Sequence, residues 1–221
     1  MAQEPDAVEI RVAGCLVEKQ RTTPDQYPLS LNALRLACNQ ATNRDPVVAY
    51  DEATVSEALR RLALRGWTRL ASGAGSRARK YRHLLPEALG VGEAELALLA
   101  VLMLRGPQTP GELKQRSERL HGFAALAEVE ATLEALIGRE LVERQQRRPG
   151  QKEVRYAQLL GGGEEGSAMI VTDDPGRGAA PDAPALQQVE AENEDERLAR
   201  LERELLEIRA DVAKLREALG D

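Results

Sequence analysis

The sequence predicts a mainly α fold with small β-hairpin wings (α+β): two tandem winged helix-turn-helix domains, a disordered linker and a C-terminal coiled-coil helix. Three observations predict it. An amphipathic helix and a basic hairpin follow one another between Asp51 and His83; that succession of elements recurs later in the chain; and leucines repeat at spacings of three and four near the C-terminus. The expected boundaries are 1–90 and 91–160 for the two winged-helix domains, 161–196 for the linker and 197–220 for the coiled-coil helix.

Taking the elements in order, Asp6 and Glu9 form a D-x-x-E capping box ahead of a helix to about Gln20, with Val8, Val12 and Leu16 on its inner face. Thr23-Pro24-Asp25-Gln26 repeats the capping logic, and Pro28 breaks that turn soon afterwards. Ser30 caps a second helix, Leu31 to about Ala41, and an Asn-rich loop leads on to Asp51. Asp51 can accept from the backbone of Thr54, and Val55, Leu59 and Leu62 recur at i, i+4 and i+7, one buried stripe of a third helix. Gly66 closes it. Trp67, Arg69 and Ala71 begin an alternating strand, SGAGS supplies a turn needing positive φ, and RARKYRH returns.

The second domain replays this order. Glu95 and Leu102 follow Glu9 and Leu16 by 86 positions, as Thr109-Pro110 follows Thr23-Pro24; Val129, Leu133 and Leu136 follow Val55, Leu59 and Leu62 by 74, and Tyr156 follows Tyr81 by 75. Such regular offsets indicate an internal duplication, with twelve extra residues between the second and third helices of the first copy.

Residues 161–196 turn rich in Gly, Pro and acidic side chains with no apolar period, the signature of a disordered linker. A flexible chain of that length spans about 30–36 Å root-mean-square. Leu198, Leu201, Leu205, Ile208, Val212, Leu215 and Leu219 then form an a/d seam. In a parallel dimer, Arg197 would face Glu202 of the other strand, Glu204 would face Arg209 and Asp211 would face Arg216, all of opposite sign. Self-association through Leu198–Leu219 is therefore expected; the alternative is a lone amphipathic helix supported by pairs such as Arg200–Glu204, marginal in water at this length. The mixture of Leu, Ile and Val leaves dimer and trimer open.

Composition bounds the rest. At 221 residues, with aromatics limited to Trp67, Phe123 and four tyrosines, Leu, Ala and Val must supply the core. Cys15 and Cys38 sit in apolar helical contexts, which favours reduced core thiols over a disulfide or a ligand pair. No basic-then-apolar leader opens the chain, and the longest apolar run, Leu96 to Leu104, is too short to span a bilayer; a cytoplasmic protein without membrane contact is expected. Net charge is +3 over residues 1–90, zero over 91–160 and −9 over 161–221, so the acidic balance belongs to the tail and leaves nucleic-acid binding by the front domain open.

The runs CLVEKQRTTPDQYPLSLNALRLACNQATNRDPVV, GSRARKYRH, LRGPQTPGELKQRSERLHGF and EVEATLEAL resemble the signature blocks of the YceH family of bacterial proteins, over roughly residues 7–160. The resemblance implies a tandem winged-helix fold in a cytoplasmic bacterial protein. It implies no reaction, ligand or DNA site.

Chemistry-bearing residues are few. His83 and His121 have no ligand spacing with cysteines or carboxylates, so no metal is expected; no phosphate loop or nucleophile motif occurs, so neither an enzyme nor a cofactor is expected. Asn39, Gln40, Asn43 and Arg44 could line a small polar pocket, although turn formation explains them more simply.

Double-stranded DNA is the expected partner. With the apolar stripe inward, the third helix exposes Ser56, Glu57, Arg60 and Arg61, and the wing adds Arg77, Arg79, Lys80 and Arg82. Arginine forks onto guanine edges or phosphates, while wing cations suit the backbone or the minor groove. The matching helix of the second domain carries Glu128, Glu130 and Glu134, which repel phosphates; only its wing, with Arg144, Arg147, Arg148, Lys152 and Arg155, is basic. That domain suits packing or a protein partner, with Arg147, Arg148 and Lys152 touching DNA backbone at most. Two functions follow: a DNA-binding transcriptional regulator, or a tandem winged-helix scaffold for protein partners with weak or no specific DNA binding. A small-molecule sensor is a variant of the first, with the twelve-residue expansion as its candidate pocket.

Overall fold

The computed structural model describes residues 4–71, 79–146 and 153–161, all within one compact unit, Met1–Ile170; the second unit, Val171–Asp221, lies outside the described residues, as do the expected linker beyond Gly161 and the coiled coil. The described chain is mainly helical with two small antiparallel sheets, an α+β arrangement. Among the described residues no helix is long and apolar enough to cross a membrane.

Helix α1 (Ala7–Thr22) starts in the anticipated capping box: the Asp6 carboxylate accepts from the Glu9 N–H at 2.8 Å and the Glu9 carboxylate accepts from the Asp6 N–H at 3.1 Å. A single 3-10 turn, Pro24–Gln26, and strand β1 (Leu29–Ser30) lead to α2 (Leu31–Cys38), capped by Ser30. Helix α3 (Glu52–Leu64) begins where Asp51 accepts from Thr54 at 2.7 Å, buries Val55, Ala58, Leu59 and Leu62, and is followed by Gly66 at φ +74°, a conformation that glycine adopts without strain. Strands β2 (Thr68–Leu70) and β3 (Lys80–His83) pair antiparallel, and β1 joins the far edge of β3, giving the order β1-β3-β2.

A short helix, α4 (Leu85–Leu89), carries the chain into the second copy: α5 (Glu93–Arg105), α6 (Pro110–Ser117), α7 (Leu126–Ile137), β4 (Val142–Arg144) and β5 (Tyr156–Gln158). The order of three helices and a hairpin is thus repeated. Even β1 has a counterpart, a single bridge between Gln108 and Tyr156. One pairing changes. Thr109 caps α6 as Ser30 caps α2, 79 positions apart, whereas Thr23-Pro24 opens only the extra 3-10 turn. The extra residues of the first copy are therefore divided: seven lie before its second helix, where the offset falls from 86 to 79, and five after it, where it falls to 74. The shared Thr-Pro dipeptide hid this, because both are N-terminal capping signals but only one starts a full helix.

Helices α1 and α5 pack on each other at the centre of one continuous core. Gly14 permits the approach: a Cβ there would lie 3.1 Å from the Met103 Cβ and 3.0 Å from the Leu104 Cδ2. Cys15 and Cys38 are free and buried, as expected, and the neighbouring Cys15 together with burial pushes the Cys38 thiol up. Arg11, also buried, donates to the carbonyls of Cys38 at 3.3 Å and Pro46 at 2.7 Å, tying the loop after α2 to α1.

Candidate nucleic-acid interface

The outer side of α3 and the β2–β3 ribbon enclose a groove of about 520 Å3, lined by Ser56, Arg60, Leu64, Arg69, Leu70 and Arg79 among others. Register sets the charge of the ribbon's other face. Thr68 pairs with His83, Arg69 with Arg82 and Leu70 with Tyr81, so alternation turns Thr68 and His83 inward and brings Arg69 and Arg82 together on the opposite face, with Lys80 two residues along. Like charges directly opposite on a ladder are unfavourable. Among the described residues Arg69, Arg79 and Arg82 make no ion pair, and the Arg82 Nε has no hydrogen-bond partner. Arg69, Arg79 and Arg82 are therefore cations with no counter-charge among the described residues.

The helix arginines differ. Arg60 forks onto Glu57 at 2.6 and 2.8 Å on the exposed face, holding that carboxyl below its ordinary range. Arg61 points the other way: its Nη1 lies 2.7 Å from Asp6 and 3.7 Å from Glu9 at the start of α1. Of the expected contact residues, Ser56, Arg60 and Arg79 share the groove and Lys80 and Arg82 stand on the ribbon, while Arg61 faces the protein's own carboxylates. Arg77, Arg147, Arg148 and Lys152 lie outside the described residues. Arg69 was not among the expected contacts, although strand alternation in TRL against KYRH carried the signal.

Beneath the ribbon, His83 is buried, its Nε2 2.7 Å from the Gln20 Oε1 and its Nδ1 without a partner. Burial lowers its pKa to about 4, against a raising influence from Glu87. Tyr27 donates no charge here but accepts the His83 N–H at 2.8 Å, and burial pushes its hydroxyl up to about 12. Both side chains support the ribbon from below.

The trailing copy presents Glu130 and Glu134 on α7 and Glu143 on β4, all exposed. Arg155 is held by Glu112 at 3.0 Å and by the Pro107 carbonyl at 2.7 Å. Of the Asn-rich loop, Asn39 exchanges two hydrogen bonds with Tyr50 and Gln40 accepts from Arg44, so these work within the fold. Among the described residues no group of three or more His, Cys, Asp or Glu side chains could hold a metal ion.

Residues 6–151 match the family model described as "Protein of unknown function, DUF480". The chain is 48% identical over 218 residues to a UPF0502 protein of Pelobacter propionicus, covering 96% of this chain and 94% of that one. It is 50% identical over 205 residues to a UPF0502 protein of Geotalea uraniireducens, covering 92% and 89%, and 43% identical over 221 residues to one of Shewanella sp. strain MR-4, covering 96% and 97%.

Proposed function

The chain belongs to the DUF480 family, and from the geometry above we propose that this member is a duplex-DNA-binding regulator with two winged-helix modules in tandem. The leading module meets DNA chiefly through its ribbon, with the outer side of α3 beside it. The observation that carries this reading is the set Arg69, Arg79 and Arg82: three guanidinium groups that make no ion pair among the described residues, two of them directly opposed across a ladder. Such groups gain most from phosphates, which are bound largely without regard to sequence. Arg60 and Ser56 can join them, since an exposed ion pair such as Glu57–Arg60 contributes little and exchanges readily. Arg61 is given a structural part, joining α3 to α1. The heptads over Leu198–Leu219 supply self-association in this scheme, placing two leading modules on one duplex.

Fluorescence anisotropy of the full chain on labelled duplexes tests it. The parent should bind with an affinity that falls steeply as salt rises, and Arg69→Gln/Arg79→Gln/Arg82→Gln should reduce the log–log slope by about 2.7, close to one unit per phosphate contact. An unchanged slope would remove the ribbon from the interface.

A second reading, a scaffold for protein partners, is favoured by Leu64 and Leu70, 77% and 53% exposed on the rim of the same groove. If that reading holds, Leu64→Asp/Leu70→Asp abolishes recovery of a partner from cell extract while the arginine variant does not.

A further inference from the structure

A second cavity, of about 390 Å3, opens where the two copies meet. That volume falls within the range of small-molecule sites, about 300–1,000 Å3, and is too confined for a duplex. Four segments build it: α1 contributes Glu18, the loop after α2 contributes Asn43, α5 gives Arg105 and an apolar floor, and α6 with the turn after it gives Gln115, Arg116 and Arg119.

The charge of this cavity is out of balance. Glu18, its one acidic wall residue, is already neutralised by Arg44, whose side chain is fully buried and reaches it through two nitrogens at 3.0 and 2.5 Å. Arg116 reaches Glu112 only at 3.5 Å, while that carboxylate also accepts from the Thr109 N–H at 2.9 Å and from Arg155 at 3.0 Å. Arg105 has a hydrogen bond to the Asn43 side chain and no carboxylate, and Arg119 makes no ion pair among the described residues. Burial, with Arg116 and Arg44 nearby, depresses the pKa of Arg105. Asn43 itself is held at φ +60°, a left-handed conformation that asparagine tolerates better than most residues, and from there it meets Arg105. Three guanidinium groups thus converge on a concave site whose acidic member is engaged elsewhere, with two amides to orient a ligand.

We propose that this cavity binds a small polyanion, a molecule bearing phosphate groups or several carboxylates, with Arg105 and Arg119 as anchors and Arg116 beside them. Planar guanidinium forks match both kinds of oxyanion. Because the walls come from both copies, the bound anion bridges them, and Asn43 brings the expanded loop of the first copy into the site. The inference stands apart from DNA binding, since no ribbon residue lines the cavity.

Isothermal titration of the full chain at low ionic strength with pyrophosphate, with citrate and with uncharged ribose tests it. At least one of the two anions should bind saturably, one per chain, and ribose should not; which anion binds tells phosphate from carboxylate. Arg105→Gln and Arg119→Gln should each weaken binding about tenfold or more, the loss of a charge-assisted contact. Arg69→Gln should leave it unchanged. Arg119 lies on an exposed turn, so its variant decides the matter if Arg105→Gln fails to fold. No binding of either anion, full binding by Arg119→Gln, or loss of binding in Arg69→Gln would overturn the proposal.

Discussion

The two copies carry the same succession of helices and hairpin but differ in outward charge at several matched positions. At the outer positions of the third helix, Ser56 and Arg60 of α3 stand where α7 has Glu130 and Glu134; on the first strand of the hairpin, Arg69 stands where β4 has Glu143; and Arg82, opposite Arg69, is answered by Ala157, opposite Glu143. One ion pair is common to both. Glu9 of α1 meets Arg65 at the end of α3 at 3.0 Å, and Glu95 of α5 meets Arg139 just past α7 at 3.3 Å. The ion pair that ties first to third helix is thus common to both copies, while the outward charge differs.

Exchanging the charges should have the largest effect. Arg69→Glu/Arg82→Glu should lower duplex affinity about a hundredfold or more at low salt, from two lost charge-assisted contacts and new repulsion. Glu134→Arg/Glu143→Arg in the trailing copy should raise affinity, by about tenfold; anisotropy reads both. If the trailing exchange does as much as the leading one removes, the copies are equivalent in DNA binding and the asymmetry carries no function.

The shared ion pair sharpens the contrast in stability. Glu9 is 1% exposed, so Glu9→Gln leaves the half-buried Arg65 without its counter-charge and should cost about 3 kcal/mol. Glu95→Gln, in a more exposed pair, should cost less than about 1 kcal/mol. Urea denaturation of each variant checks the difference.

His83 adds a pH signature that the trailing copy, with Gln158 at the matching position, lacks. Its folded pKa, about 4, lies below the ordinary 6.5, so the unfolded chain takes up a proton first. Stability from this group is complete above pH 6.5 and declines as pH falls toward 4, by up to about 3 kcal/mol. His83→Gln, which keeps a polar group near Gln20, should flatten the melting temperature over that window.

Much of this was legible in the sequence where the cause is local. The capping box at Asp6, the cap at Asp51 and the stripe Val55–Leu59–Leu62 follow from chemistry within a few residues. What escaped depends on distance. A two-residue strand such as β1 exists only because β3 lies beside it, and α4 is too short to show a period. Helical spacing makes Arg60 and Arg61 neighbours on the outer surface; the fold sends Arg61 to Asp6, 55 positions earlier, and leaves Arg60 exposed. The anion cavity draws on four separate segments, and only Asn43 in the expanded loop gave a hint of it.

A further expected effect concerns the contact between the copies. Gly14 of α1 is answered by Ala100 of α5, and Gly14→Leu should overpack the seam against Met103 and Leu104 at about 1–3 kcal/mol, read as a lower melting temperature.

The most direct test is where DNA touches the chain. Full-length protein should be photo-crosslinked to a bromodeoxyuridine-substituted duplex, digested and mapped by mass spectrometry. Adducts on the peptides of α3 and the leading ribbon, with α7 unmodified, are the predicted result. Adducts confined to the trailing copy, or none beyond those given by single-stranded DNA, would contradict it.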